Sequence, residues 1–235
     1  MRVSVVIPTR NEGLAISRVL ADLPSGLVTE VIVVDSDSTD DTREIAARMG
    51  ARVVPEPRRG YGRACLTGLA HASSPDVVVF LDGDYSDRPA ELPSLLAPIV
   101  SGDADITLGS RLAGARTPGA LPWHSILGNR VAAGLIRFLF GPRITDLGPF
   151  RAARVDVLRA LTLEETTYGW AVEMILKGSL AGYRIVEVPV SYHLRLGKSK
   201  ITGTVRGSFG AAWFIFSRII FSRIMGYHLR RRRPA

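Results

Sequence analysis

Residues 77–87 read VVVFLDGDYSD. A run of apolar, largely β-branched residues ends in three carboxylates, Asp82, Asp84 and Asp87, within six positions. An unbroken run without alternation is what a strand covered on both faces requires, and such strands belong to parallel sheets. The acids that follow repel one another at this spacing. Either a cation sits among them or they face open water.

Working outward, the pattern repeats toward the N-terminus. Val3–Ile7, Val31–Val34 and Arg52–Val54 read as strands, and Val77–Leu81 is the strongest of the set. Leu14–Leu23, Asp40–Met49 and Gly62–His71 have helical spacing between them, with Ser38, Thr39 and Asp40 as capping candidates for the second. Strands alternating with helices predict an α/β fold: a mostly parallel sheet flanked by helices. The second half is less regular. Ala104–Leu108 reads as a strand, and residues 111–122, rich in Gly, Ala and Pro, as a mobile loop. Trp123–Phe140 reads as a helix with Leu127, Val131, Leu135 and Leu139 on one stripe. Tyr168–Ala181 reads as a further helix and Arg184–Val190 as a strand, followed by the basic stretch RLGKSK, residues 195–200. The division expected is a catalytic domain over 1–205 and an apolar, basic helical appendage over 206–235.

Composition narrows the partners. The 235 residues carry a formal charge of +8 and are 46% apolar. That balance favours acidic partners, whether nucleic acid, anionic membrane or phosphorylated ligands. No nucleic-acid recognition motif accompanies it. The single cysteine, Cys65, excludes an intrachain disulfide, points to a reducing compartment and reads as inert packing. The apolar run in MRVSVVIPTRNE is too short for a signal peptide, so a cytoplasmic location is expected. No CxxC or HExxH pattern is present, and the four histidines are scattered, which argues against zinc.

In a parallel α/β sheet, ligands bind outside the carboxyl ends of the strands. Three strand ends here carry polar clusters: Pro8-Thr9-Arg10-Asn11-Glu12, Asp35 through Asp40, and Asp82-Gly83-Asp84. Any one could be an ordinary loop with helix caps; together they point to one site. The Asp82/Asp84 pair offers hard oxygens suited to Mg²⁺ or Mn²⁺, a metal that completes its shell with water and phosphate. Cations for phosphate are available in Arg58, Arg59, Arg63, Arg111, Arg195, Lys198 and Lys200. Gly60 and Gly62 would let backbone amides approach an anion.

Seven stretches, VVIPTRNE, VVDSDSTDDT, RRGYGRACLTG, FLDGDYSDRP, TDLGPFRA, YGWAVEM and EVPVSYHLRLGKSKI, resemble in order and spacing the family 2 glycosyltransferases. The dolichyl-phosphate mannosyltransferase and polyprenyl-phosphate sugar synthase subgroup is the nearest. The resemblance covers roughly residues 2–205. It implies a GT-A (Rossmann-like) fold, a nucleotide-sugar donor, a divalent metal and inversion at the anomeric carbon. By the same resemblance, Pro8, Thr9, Asn11, Glu12 and Asp35 hold the nucleoside, with Asp37 beside Asp35 and Gly83 between Asp82 and Asp84 as further donor-binding residues. Asp82 and Asp84 hold metal and diphosphate, while Arg195, Lys198 and Lys200 clamp the leaving diphosphate. Glu173, in the YGWAVEM helix with Trp170, is either structural or faces the acceptor. The chain departs from the family after the second strand, reading Asp35-Ser36-Asp37-Ser38, and at Ser86, where related enzymes carry Gln as a third metal ligand.

The acceptor decides what else is needed. A phosphate acceptor is already anionic and needs positive charge, which Arg111, Arg116 and Arg130 could supply. A hydroxyl acceptor needs a base within hydrogen-bond reach, and Asp146 is the candidate; it could equally brace a turn. The C-terminal stretch has Gly207–Ser217 as its longest uncharged run, well short of the ~20 residues a span requires. It either lies in the membrane interface, its arginines toward anionic headgroups, or packs on protein. The expected activity is hexose transfer from a GDP-mannose- or UDP-glucose-type donor to a polyprenyl-phosphate-like lipid, with the enzyme peripheral on the membrane. Its rivals are transfer to a soluble hydroxyl acceptor and a non-catalytic nucleotide-sugar-binding partner of a membrane complex.

Overall fold

In the computed structural model, which describes residues 1–197, one seven-stranded sheet runs in the order β3-β2-β1-β4-β6-β5-β7. Its strands are β1 (Val3–Thr9), β2 (Glu30–Asp35), β3 (Arg52–Pro55), β4 (Val77–Phe80), β5 (Ile106–Ser110), β6 (Arg151–Arg154) and β7 (Ile185–Pro189). All pairs are parallel except those of β6, which runs antiparallel to β4 and β5. The helices are α1 (Ile16–Ala21), α2 (Thr42–Arg48), α3 (Tyr61–His71), α4 (Leu92–Val100), α5 (Trp123–Phe140), α6 (Val155–Leu161) and α7 (Trp170–Leu180). The mostly parallel α/β architecture expected of a GT-A fold is what the structure shows.

The apolar runs do what their pattern predicts. All four residues of β4 are buried, and alternate residues serve opposite faces. Val78 and Phe80 join a core beneath α3, α5, α6 and α7, while Val77 and Val79 join another beneath α1, α2 and α4. Gly68 lets α3 lie close on β1, since a Cβ there would stand 2.3 Å from Val6.

Three elements escape a reading by period. The helix α4, LPSLLAPIV, hides behind Pro93 and Pro98, yet it buries Leu92, Leu95, Leu96 and Ile99. The strand β6, RAAR, looks too polar to be central. Arg151 is nevertheless fully buried and donates to the carbonyls of Ala171 (2.8 Å) and Gly148. The short α6 follows β6 directly. The stripe expected to seat α5 is also corrected. Ala132, Ala133 and Ile136 face the core, Leu135 and Leu139 pack at its edge, and Leu127 and Val131 point outward. Small residues seat this helix closely, so the bulky ones were a poor guide to its inner face. The segment 206–235, expected as a helical appendage, lies outside the described residues, as do Lys198 and Lys200.

Candidate active site

The carboxyl ends of β1, β2 and β4 converge, and the backbone holds them there. Ser36 donates to the Thr9 carbonyl (2.8 Å), Glu56 to that of Asp35 (2.9 Å) and Leu81 to that of Val6 (3.1 Å). Beside these ends opens a cavity of about 330 Å³, lined by Pro8, Thr9, Glu12, Gly60, Asp82, Gly83, Asp84 and Arg195. Eight of the residues expected from sequence are thus brought to one wall. Arg10, Ser36, Arg59, Tyr61, Ala64 and Tyr168 complete the lining. Of these, Tyr61 and Tyr168 lie within quoted motifs and carry no charge to draw attention.

The loops after β1 and β2 brace one another. Asn11, with φ of 52°, accepts from the Thr39 amide (2.8 Å), and its own amide donates to Ser38 Oγ (2.9 Å). Asp35 is buried; its Oδ2 receives the Ser38 amide (3.1 Å) and Arg43 Nε (2.9 Å), while Oδ1 has no partner among the described residues. Asp37 is different. It is an exposed residue at φ 59°, and the displaced acid is not among the residues that line the cavity.

The acid pair is held against positive charge. Asp84 Oδ1 accepts from Ser86 N (2.9 Å) and Ser86 Oγ (2.6 Å), and its Oδ2 pairs with Arg195 Nη2. Ser86 therefore orients Asp84. The basic segment is zipped onto this loop by backbone bonds, His193 N to Ser86 O (2.9 Å) and Leu196 N to Asp84 O (3.0 Å). Burial and the Asp84 charge push Asp82 up to about 7, partly countered by the Tyr61 phenol, Arg195 and Arg111. Asp87 is likewise pushed up, by burial and by Asp82, and among the described residues neither of its oxygens has a hydrogen-bond partner. A carboxylate pair that resists ionising together is a fitting seat for a hard dication.

Other expected residues are placed elsewhere. Asp146 is fully buried and takes a bidentate pair from Arg111, Nε at 2.8 Å and Nη2 at 2.9 Å, plus the amides of Arg111 and Leu147. Burial would raise its pKa, but Arg111 holds it below the usual range. Four donors thus occupy its two oxygens, and a carboxylate so held is a weaker proton acceptor than a free one. Arg111 is likewise neutralised, so it offers the acceptor little net charge, and its guanidinium stacks 5.1 Å from the Tyr192 ring centre. Trp170 is fully buried, edge-on to Phe80 at 4.6 Å, because it forms the floor on which α3 and β4 meet. Glu173 pairs with Lys177 (2.8 Å) and accepts the amides of Glu164 and Glu165, so it braces the loop before α7. Arg130 is exposed on α5, and neither it nor Arg63 lines the cavity.

The glycine-rich turn is also used differently. The amides of Gly62 and Arg63 donate to the carbonyls of Thr167 (3.1 Å) and Thr166 (3.0 Å), not toward the cavity. Gly60, at φ 145°, would bring a Cβ to 2.2 Å from the Thr166 carbonyl oxygen. Packing of two loops demands these glycines. Arg58 is taken up by buried Glu56, which also accepts from Thr67 Oγ1 (2.7 Å). Arg58 is the largest influence holding Glu56 down to about 2, against 4.5 ordinarily. A depressed acid contributes stability above its unfolded pKa and loses it as pH falls toward the folded one. Glu56→Gln is therefore expected to reduce the drop in melting temperature between pH 4.5 and pH 2, measured against the parent by calorimetry.

The fold and a strand-end acid pair beside a cavity are those of a GT-A glycosyltransferase. The model of Glycosyl transferase family 2 matches residues 4–162, and the chain belongs to that family and is a glycosyltransferase. It is 39% identical over 209 residues to an uncharacterized glycosyltransferase of Mycobacterium tuberculosis, covering 88% of this chain and 92% of that one. It is 34% identical over 228 residues to an undecaprenyl-phosphate mannosyltransferase of Micrococcus luteus, covering 88% and 90%. A solved glucosyl-3-phosphoglycerate synthase of M. tuberculosis, in complex with Mn²⁺, UDP and glucosyl-3-phosphoglycerate, superposes with a TM-score of 0.75. It is 26% identical, with coverage of 94% of this chain and 79% of that one.

Proposed function

We propose that the chain transfers a hexose, with inversion, from a nucleotide diphosphate sugar to a phosphorylated lipid of the polyprenyl-phosphate kind. The observation that carries the choice of acceptor is the Arg111–Asp146 pair. The carboxylate best placed in sequence to serve a hydroxyl acceptor is neutralised, and a phosphate acceptor has no need of it. The kinship to an undecaprenyl-phosphate mannosyltransferase supports the same reading.

In this reading Asp82 and Asp84 hold Mg²⁺ or Mn²⁺, whose chemical contribution is to offset charge on the diphosphate. Thr9, Glu12 and Asp35 position the nucleoside, the free Oδ1 of Asp35 being a buried acceptor suited to a base N–H. The acceptor phosphate oxygen attacks the anomeric carbon as the bond to the diphosphate oxygen breaks, and the nucleoside diphosphate departs with the electron pair. No proton need move. Arg195, already beside Asp84, stabilises the departing charge, and Lys198 and Lys200 extend that clamp. Peripheral attachment to the cytoplasmic membrane face, with residues 206–235 as a second contact, belongs to the same proposal.

A second reading, a soluble phosphorylated acceptor, is favoured by the likeness to glucosyl-3-phosphoglycerate synthase. The test is transfer from UDP-glucose, GDP-mannose and related donors with Mg²⁺ or Mn²⁺, with and without a polyprenyl phosphate. Metal-dependent turnover that requires the lipid is expected. Turnover on 3-phosphoglycerate alone moves the assignment to the soluble acceptor, and donor binding without any turnover removes a catalytic role.

A further inference from the structure

We infer that the outward face of α5 is a docking surface for an anionic lipid bilayer, an inference that deepens the lipid-acceptor reading and rests on it for its purpose. Four bulky apolar side chains on this helix are exposed: Trp123 by 75%, Leu127 by 55%, Val131 by 48% and Phe138 by 85%. At 3.6 residues per turn they share, with Arg130, Gly134 and Arg137, one arc of roughly 120°. The residues that seat the helix, Ala132, Ala133 and Ile136, lie on the opposite side. A Cβ built on Gly134 meets nothing within 4 Å, so the face is open along its middle. Single exposed apolar residues are ordinary, but a contiguous stripe of this kind marks an interface.

Charge selects the occupant. Residues 111–145 hold five arginines and no Asp or Glu. The chain's own residues 198–235 also carry no acid, with Lys198, Lys200, Arg206, Arg218, Arg223 and four arginines at 230–233. Like charge opposes covering α5 with that segment, or with the same face of a second copy. An anionic bilayer satisfies both features at once: apolar side chains enter the acyl boundary and arginines reach headgroup phosphates. Among the described residues no helix is long and apolar enough to cross a membrane, so α5 lies on the surface. It is also well placed. The loop entering α5 leaves the carboxyl end of β5 at Arg111, a residue whose charge is felt by Asp82 and Asp87. Docking through α5 brings this side of the site to the bilayer from which a lipid phosphate would come.

The experiment uses the full chain with Phe138→Cys. Cys65 is the sole native cysteine and is buried, so an environment-sensitive fluorophore labels the new thiol alone. The probe is read with vesicles of phosphatidylcholine, with or without phosphatidylglycerol. A blue shift only with the anionic vesicles is expected. In unlabelled protein, Leu127→Glu with Phe138→Glu should reduce vesicle flotation about tenfold or more while leaving UDP binding intact. A probe already blue-shifted without vesicles means the face is covered by this chain or a second copy, and overturns the inference. So does an unresponsive probe, or a double variant that floats like the parent. Because no turnover enters these readouts, their failure alongside intact transfer to a short-chain polyprenyl phosphate would sink the docking surface alone.

Discussion

Asp84→Asn is expected to abolish sugar transfer, by roughly 10³-fold or more, a loss at or beyond that of one preorganised electrostatic contact, while the fold survives. The structure says why both halves hold. Asn keeps an oxygen to receive Ser86 N and Ser86 Oγ, so the turn after β4 remains closed. The backbone bonds from His193 and Leu196 do not involve the side chain and keep the basic segment in place. What disappears is the charge that draws both Arg195 and a dication. A second consequence is specific. The Asp84 charge, after burial, is the next cause raising Asp82 from 3.8 to about 7, so removing it lets Asp82 ionise at lower pH. Mn²⁺ affinity, followed by calorimetry across pH, should then fall overall and lose part of its rise toward neutrality. A variant with parental turnover would overturn the metal role; lost turnover with parental Mn²⁺ affinity would transfer the role of Asp84 to holding Arg195.

How far the sequence carried this site depended on the scale of the interaction. Period and run length are local, so β1, β2, β4 and their loops were legible, and with them the acid pair and the strand-end loops that line the cavity. Arg195 was legible because a basic, glycine-containing loop after a strand has few other uses. Partnerships across the chain were not. Nothing around Asp146 announces that Arg111, 35 positions earlier, will lie against it with both nitrogens. Nothing in RRGYGRA shows that residues 166–167 take up its amides. Trp170 and Glu173 fell within a familiar motif, but these two residues hold α7 against α3 and the preceding loop, and of that motif it is Tyr168 that lines the cavity. The α5 stripe misled for a related reason: hydrophobicity marks faces that prefer to leave water without naming what receives them.

Asp146→Asn is expected to destabilise the protein far more than it slows it. The carboxylate is fully buried, and Arg111 has a side chain only 10% exposed. Removing one member of such a pair strands the other charge, at about 3–5 kcal/mol, or a fall in melting temperature of roughly 6–20 °C for a domain of this size. The Arg111 and Leu147 amides bond to different oxygens of Asp146, so Asn can accept only one of them and turns an N–H toward the other donor, which places the effect toward the larger end. Replacing both partners, Arg111→Met with Asp146→Leu, should recover much of the loss, since matched apolar side chains avoid the stranded charge. Kinetics then separate the two roles open to Asp146. As a brace, it leaves kcat within about tenfold when assayed well below the transition; as a general base, its loss removes about 10²–10⁴-fold with the fold intact. A small thermal shift with a large loss of kcat would restore Asp146 as the base and, with it, a hydroxyl acceptor. A large shift with a modest loss leaves the acceptor's own negative charge as the nucleophile, with no proton for Asp146 to take and Arg195 left to stabilise the departing diphosphate.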